Sequence, residues 1–207
     1  MQSSFRGLGH YSCPQFQALT IRQQNDIKRR IQDMIETERL ILRKMREDDA
    51  GAFFEIFSDP IAMRYFGVVF DRPRMNKWVR DNLEHEQQHG YSLLSVILKD
   101  NGKIIGDCGL ETDKIDGRLI VGIGFDFNRS YWGKGYATEA AIAVLKYGFT
   151  QLNLDSIYGW IDPQNSPSQR VAERIGMSVD RYVDRGGKKY ALYGIKKKDW
   201  NTARLLE

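Results

Sequence analysis

Apolar residues change their spacing several times along the chain, and each change marks an element. Ile21, Ile27, Ile31, Met34 and Ile35 fall roughly on one helical face, with Lys28, Arg29 and Arg30 mostly on the other. This predicts an amphipathic helix within an N-terminal extension, residues 1–35, packed on the main domain or on a neighbour. Leu40 and Leu42, flanked by Arg39 and Arg43, open a strand. Phe53, Phe54, Ile56 and Phe57 give the apolar face of a helix that starts at the acidic run Glu47-Asp48-Asp49 and breaks at Asp59-Pro60. Asp71 caps a longer helix, with Pro73 in its first turn, Trp78, Val79 and Leu83 facing inward, and Gly90 as its C-cap.

Strand signals then take over. Tyr91 to Lys99 and Lys103 to Thr112 pair through Asp100-Asn101-Gly102, a hairpin turn. Leu119 to Phe127 is the next strand. Ala137, Ala140, Ala141, Val144, Leu145 and Phe149 return to the helical period, up to about Leu152. Ser156 to Ile161 is a strand. Ser166-x-x-Gln169, with Pro167 between, reads as a capping box opening a helix that ends at Gly176. Met177 to Asp184 and Lys189 to Lys197 form a closing hairpin. The order of elements predicts an α+β (α/β) domain over residues 36–207 built on a mostly antiparallel sheet.

Composition narrows this picture only a little. At 207 residues, 42% apolar and 28% charged, one globular domain is the default. A net charge of +4 suits an anionic ligand. The basic residues do not interleave with aromatics in one groove-sized patch, so no direct nucleic-acid partner is expected. Cys13 and Cys108 make no disulfide framework, which fits a reducing, cytoplasmic compartment. No apolar run of about 18 residues predicts a membrane span.

The candidate chemistry sits where the strand Leu119 to Phe127 meets the following helix. Between them runs Asn128-Arg129-Ser130-Tyr131-Trp132-Gly133-Lys134-Gly135-Tyr136-Ala137-Thr138-Glu139. Two glycines around a lysine, followed by an exposed helix N-terminus, read as a phosphate or pyrophosphate seat. The run matches neither the P-loop nor the dinucleotide fingerprint. A second pattern, His85-Glu86-Gln87-Gln88-His89, has the spacing of a zinc-hydrolase helix. Gly90 follows it at once, its flanks look solvated and the third ligand would have to be Glu111 from a strand, so zinc chemistry is a remote alternative and no metal is expected.

Tyr131-Trp132-Gly133-Lys134-Gly135-Tyr136-Ala137-Thr138-Glu139-Ala140 resembles the acetyl-CoA loop of the GNAT superfamily of N-acetyltransferases. It is most similar to the branch of Rim-type ribosomal-protein N-terminal acetyltransferases. The superfamily pattern Gln/Arg-x-x-Gly-x-Gly/Ala reads here Trp132-x-x-Gly135-x-Ala137. The resemblance spans about Glu38 to Trp200. It implies a twisted central sheet of about seven strands flanked by helices, splayed between the fourth and fifth by a bulge for which Gly122 and Gly124 are plausible places.

It further implies that acetyl-CoA is held by Phe125, Phe127, Trp132, Gly133, Lys134, Gly135, Tyr136, Ala137, Thr138, Asn165 and Arg170. Ser168 would protonate the departing thiolate. The acceptor would be a primary amine, either a protein N-terminal α-amine or a small molecule. A homodimer is compatible with it. Family members often carry a glutamate where this chain has Gly122. Glu111 is the substitute favoured by strand alternation, Asp126 is a second, and Tyr65 is a candidate acceptor contact. The bland alternative for Glu111 is an exposed strand-end carboxylate. Without the glutamate, the same fold could serve as a non-catalytic acyl-CoA-binding module.

Overall fold

The structure, a computed structural model, describes residues 34–115 and 117–200. The extension helix predicted from Ile21 to Ile35 lies almost wholly outside these residues. One sheet of eight strands organises the rest, in spatial order β1 to β6, then β8 and β7. The strands are β1 (Met34–Glu36), β2 (Leu40–Lys44), β3 (Leu93–Leu98), β4 (Ile104–Ile115), β5 (Arg118–Phe127), β6 (Ser156–Ile161), β7 (Ser178–Arg185) and β8 (Lys188–Lys196). The helices are α1 (Ala50–Phe57), α2 (Arg72–His89), α3 (Tyr136–Thr150) and α4 (Ser166–Arg174). The short strand β1 is the element that the sequence pattern did not announce.

Each face of the sheet has its own core. Leu40, Leu42, Val96, Cys108, Leu110 and Phe127 pack against Ala140, Val144, Leu145 and Phe149 of α3. On the other side Phe53, Ile56 and Phe57 of α1 meet Met75 and Val79 of α2 and Leu93 of β3. The predicted punctuation of α2 is present. Asp71 Oδ1 accepts the Arg74 N–H at 2.8 Å, and Gly90 adopts φ 77°. No helix among the described residues is long and apolar enough to cross a membrane.

From β2 onward the sheet is antiparallel except at one seam. β4 and β5 pair without interruption from Gly106↔Phe127 to Ile115↔Arg118, whereas β5 and β6 run parallel and pair only at Gly122↔Tyr158. The expected splay is therefore present, between the strands counted above as fourth and fifth. The expected bulge at Gly122 or Gly124 is not. Both glycines sit in register opposite Glu111 and Gly109, and the register shifts lie elsewhere, at Val96/Ile97 and Val179/Arg181. Opening the seam requires no extra residue in β5, because a single parallel bridge leaves the rest of its edge free.

Candidate functional site

The splayed seam opens into a cleft of about 810 Å³. Its floor follows from the ladder. Asn128 N–H donates to the Ile105 carbonyl at 2.9 Å, so 105↔128 is a hydrogen-bonded pair. Antiparallel pairing alternates, so Asp126, Gly124 and Gly122 turn their backbone groups to β4. Ile123, Phe125 and Phe127 turn theirs to the β6 side. The Trp132 indole N–H donates to the Phe127 carbonyl at 2.7 Å, in keeping with that direction. Beyond Gly122, the edge of β5 offers alternating N–H and C=O groups to whatever enters the cleft.

At one end of this edge lies the glycine turn. Asn128 Oδ1 accepts the Ser130 N–H at 3.0 Å and starts a single helical turn, Arg129–Tyr131. Gly133 and Gly135 then take φ 75° and 82°, the left-handed region that side chains resist. Gly135 is the N-cap of α3 and supplies no capping side chain, so the first-turn amides are open to an anion. Arg39, from the segment before β2, braces the turn. Its Nη1 donates to the Lys134 carbonyl at 3.0 Å, its Nε reaches Glu139 Oε2 at 2.6 Å, and its guanidinium lies 4.5 Å from the Tyr136 ring centroid. Burial works against ionised Glu139, but hydrogen bonds from Thr37 and Arg39 outweigh it and hold this carboxyl below its ordinary range.

The structure brings most of the predicted residues to this cleft. Phe125 and Phe127 of β5, Trp132, Gly133 and Gly135 of the turn, and Tyr136, Ala137 and Thr138 of α3 line it. Asn165, Ser168 and Arg170 line it from α4, and Glu111 and Tyr65 from the other end. Lys134 stands apart: it is not on the cleft wall, and its Nζ lies 5.3 Å from the Tyr131 ring centroid.

The predicted capping box is corrected. Asn165, not Ser166, is the N-cap of α4, its Oδ1 accepting the Ser168 N–H at 3.2 Å. Ser166 Oγ instead accepts from Arg170 Nη1 at 3.3 Å, and the Gln169 amide donates to the Pro163 carbonyl at 2.8 Å. Asn165 is one residue nearer the β6 end, where the first-turn amides need an acceptor. Its Nδ2 stays available for a ligand.

At the far end the floor is acidic. β4 continues past Glu111 to Ile115, so Glu111 lies within the strand and is half-buried; the strand-end alternative does not hold. Its Oε1 lies 3.3 Å from where a Cβ on Gly124 would stand. Glycine at 124 thus leaves room for a carboxylate from β4 to lie over β5. Burial, and then Asp113 nearby, push the Glu111 carboxyl up. Asp126 lines the same end, and burial followed by repulsion from Glu111 pushes it up to about 7. Asp107 faces Asp126 across the ladder and is fully buried. Sequence reasoning missed Asp107, Arg39 and Glu139. Asp107 and Glu111 do share a strand face by alternation, which was visible, but the pairing with Asp126 depends on register.

The histidine pattern has a structural role. His85 Nε2 accepts the Thr112 N–H at 3.2 Å, His85 and His89 rings lie 4.3 Å apart, and Glu86 pairs with Lys44 at 2.6 Å. Burial, then the neighbouring His89, lower the His85 pKa. No group of three or more His, Cys, Asp or Glu that could hold a metal ion occurs among the described residues.

Known proteins share the fold. Residues 39–178 match the family model described as acetyltransferase (GNAT) domain. The chain is 37% identical over 161 residues to the uncharacterized protein YkkB of Bacillus subtilis, covering 77% of this chain and 94% of that one. A solved GNAT-family acetyltransferase from Bacillus anthracis is 33% identical with a TM-score of 0.68, covering 80% of this chain and 99% of that one. Spermidine N(1)-acetyltransferase of Escherichia coli is 27% identical over 140 residues, 67% of this chain and 73% of that protein. The chain belongs to the GNAT acetyltransferase family, whose co-substrate is acetyl-CoA.

Proposed function

We propose that this member of the GNAT family moves the acetyl group of acetyl-CoA to a primary amine by direct attack within a ternary complex. The observation that carries the reading is the unpaired edge of β5, which runs straight into the amide-lined turn at the start of α3. The turn amides from Gly133 to Thr138 suit the pyrophosphate. The edge groups of Phe125 and Phe127, with Asn165 and Arg170 across the cleft, suit the pantetheine arm. An N–H of the same edge would serve as donor to the oxyanion of the tetrahedral intermediate.

Acyl transfer from a thioester asks two proton services of the protein. The amine must be neutral to attack, and Glu111 or Asp126, both on the cleft wall, would take its proton. The departing thiolate takes a proton, which Ser168 on α4 can supply. A cleft with carboxylates at its amine end favours an acceptor that arrives as an ammonium, either the N-terminus of a protein, as in the Rim-type branch, or a small polyamine.

The test is thiol release from acetyl-CoA by the purified chain, with spermidine and with a short peptide bearing a free N-terminus. Thiol release that depends on one of these amines supports the reading and selects the acceptor class. Acetyl-CoA binding without release on any amine would favour the non-catalytic acyl-CoA module instead.

A further inference from the structure

A row of polar side chains crosses four strands beneath the amine end of the cleft. Cross-strand partners share a face, and the register reads Arg43↔Ser95, Ser95↔Asp107, Asp107↔Asp126. The row begins well satisfied. Asp49, from the turn before α1, accepts from Arg43 Nη1 at 2.7 Å and Nη2 at 2.8 Å, and from Ser95 Oγ at 2.7 Å. Burial disfavours charge on Asp49, but these donors hold it below the ordinary carboxylate range.

The satisfaction stops at Asp107. Ser95, its partner on β3, spends its hydroxyl hydrogen on Asp49. Asp107 is fully buried, and neither carboxylate oxygen has a hydrogen-bond partner among the described residues. A lone buried carboxylate is far too costly to keep charged, so Asp107 carries a proton. Its neighbour in the row, Asp126, opens to the cleft. Glu111 lies on the same face of β4 and lines the same cleft. Arg185, which favours charge on Glu111, is engaged with Asp113. Arg64 and Tyr65, and Tyr190 of β8, line the cleft from its other walls.

We propose that Asp126 is the group that takes the proton of the incoming ammonium, with neutral Asp107 sealed behind it and Glu111 as its charged neighbour. The assignment rests on the acetyltransferase reading. The ammonium gives one proton to the Asp126 carboxylate and becomes a free amine. Its nitrogen forms a bond to the thioester carbon, and the carbon–sulfur bond breaks with its electron pair on sulfur. Ser168 gives its hydroxyl proton to the thiolate and regains one when the nitrogen's second proton leaves as the amide forms, so amide, thiol and the one proton held by Asp126 are the products. Asp126 then returns its proton to water. Asp107 is a positioning residue: being neutral, it offers Asp126 no counter-charge. The elevation of Asp126 to about 7 fits a base that works near neutrality.

The test is a carbon-13 NMR titration of the aspartate and glutamate carboxyl groups of the full chain, with D126N, D107N and E111Q beside wild type. One aspartate is expected to titrate near pH 7. It disappears in D126N and persists in D107N, where the amide stands in for the neutral acid. In E111Q it moves down, by about one pH unit for removal of a close like charge. D126N also loses thiol release by about 100-fold or more, the scale of a missing general base. Survival of the neutral titration in D126N, its loss in D107N, or full activity in D126N would overturn the assignment. Acetyl-CoA affinity, measured on each variant, checks folding. Absence of thiol release by wild type would instead count against the acetyltransferase reading itself.

Discussion

The two ends of the cleft are built from different materials. The α3 end is made of backbone: free amides of a glycine turn and of a strand edge, braced by Arg39 and Glu139. The β4–β5 end is made of side chains: Asp107, Glu111 and Asp126 over glycines 109, 122 and 124. Backbone recognition suits a co-substrate that is the same in every turnover, since its polar groups stay in place whatever the neighbouring side chains. Side-chain recognition suits a partner that varies, and lets proton affinity be set by neighbours.

Substitution should separate the two ends. The largest effect is expected from Gly135→Glu. It puts a side chain at φ 82°, with its Cβ 3.4 Å from Arg39 Nη2, and a negative charge in an anion seat. Acetyl-CoA affinity should fall about 100-fold or more by calorimetry. Next comes Ser168→Ala, which should lower kcat roughly 10-fold with little change in acetyl-CoA affinity, because a thiolate is already a fair leaving group. Arg39→Ala should weaken acetyl-CoA about 5-fold and cost about 1 kcal/mol of stability. Its pair with Glu139 is partly exposed, so the effect is modest.

The smallest expected effect is also a test of sign. Asp126 binds its proton more tightly folded than unfolded, since its pKa rises from the ordinary 3.8 to about 7. Ionising it therefore costs stability, and the cost grows as pH rises from about 4 to 7 and is full above that. Thermal unfolding should show Asp126→Asn gaining on wild type as pH goes from 5 to 8, by roughly 3 °C for each kcal/mol relieved. A gain that is equal at both pH values would mean that Asp126 is not held against its charge.

The difference in materials also decides what could be read from the sequence. Gly133 and Gly135 with the helix after them form a contiguous signal, and local rules interpret it. The hairpins through Asn101-Gly102 and Gly186-Gly187 were equally local. Asp107 and Asp126 are 19 positions apart, and only the register of β4 on β5 makes them neighbours. The bulge expected at Gly122 or Gly124 is absent for a related reason: a glycine in a strand signals close approach or a bulge alike, and Gly124 makes room for Glu111. Asn165 was noticed for the resemblance, while its capping of α4 was assigned one residue too late, to Ser166.

The most direct measurement is isothermal titration of acetyl-CoA into wild type, Gly135→Glu and Asp126→Asn in parallel. If the ends are built as described, wild type and Asp126→Asn bind with the same micromolar affinity and Gly135→Glu does not bind. Equal binding by Gly135→Glu, or no binding by well-folded wild type, would contradict the assignment of the glycine turn as the co-substrate seat.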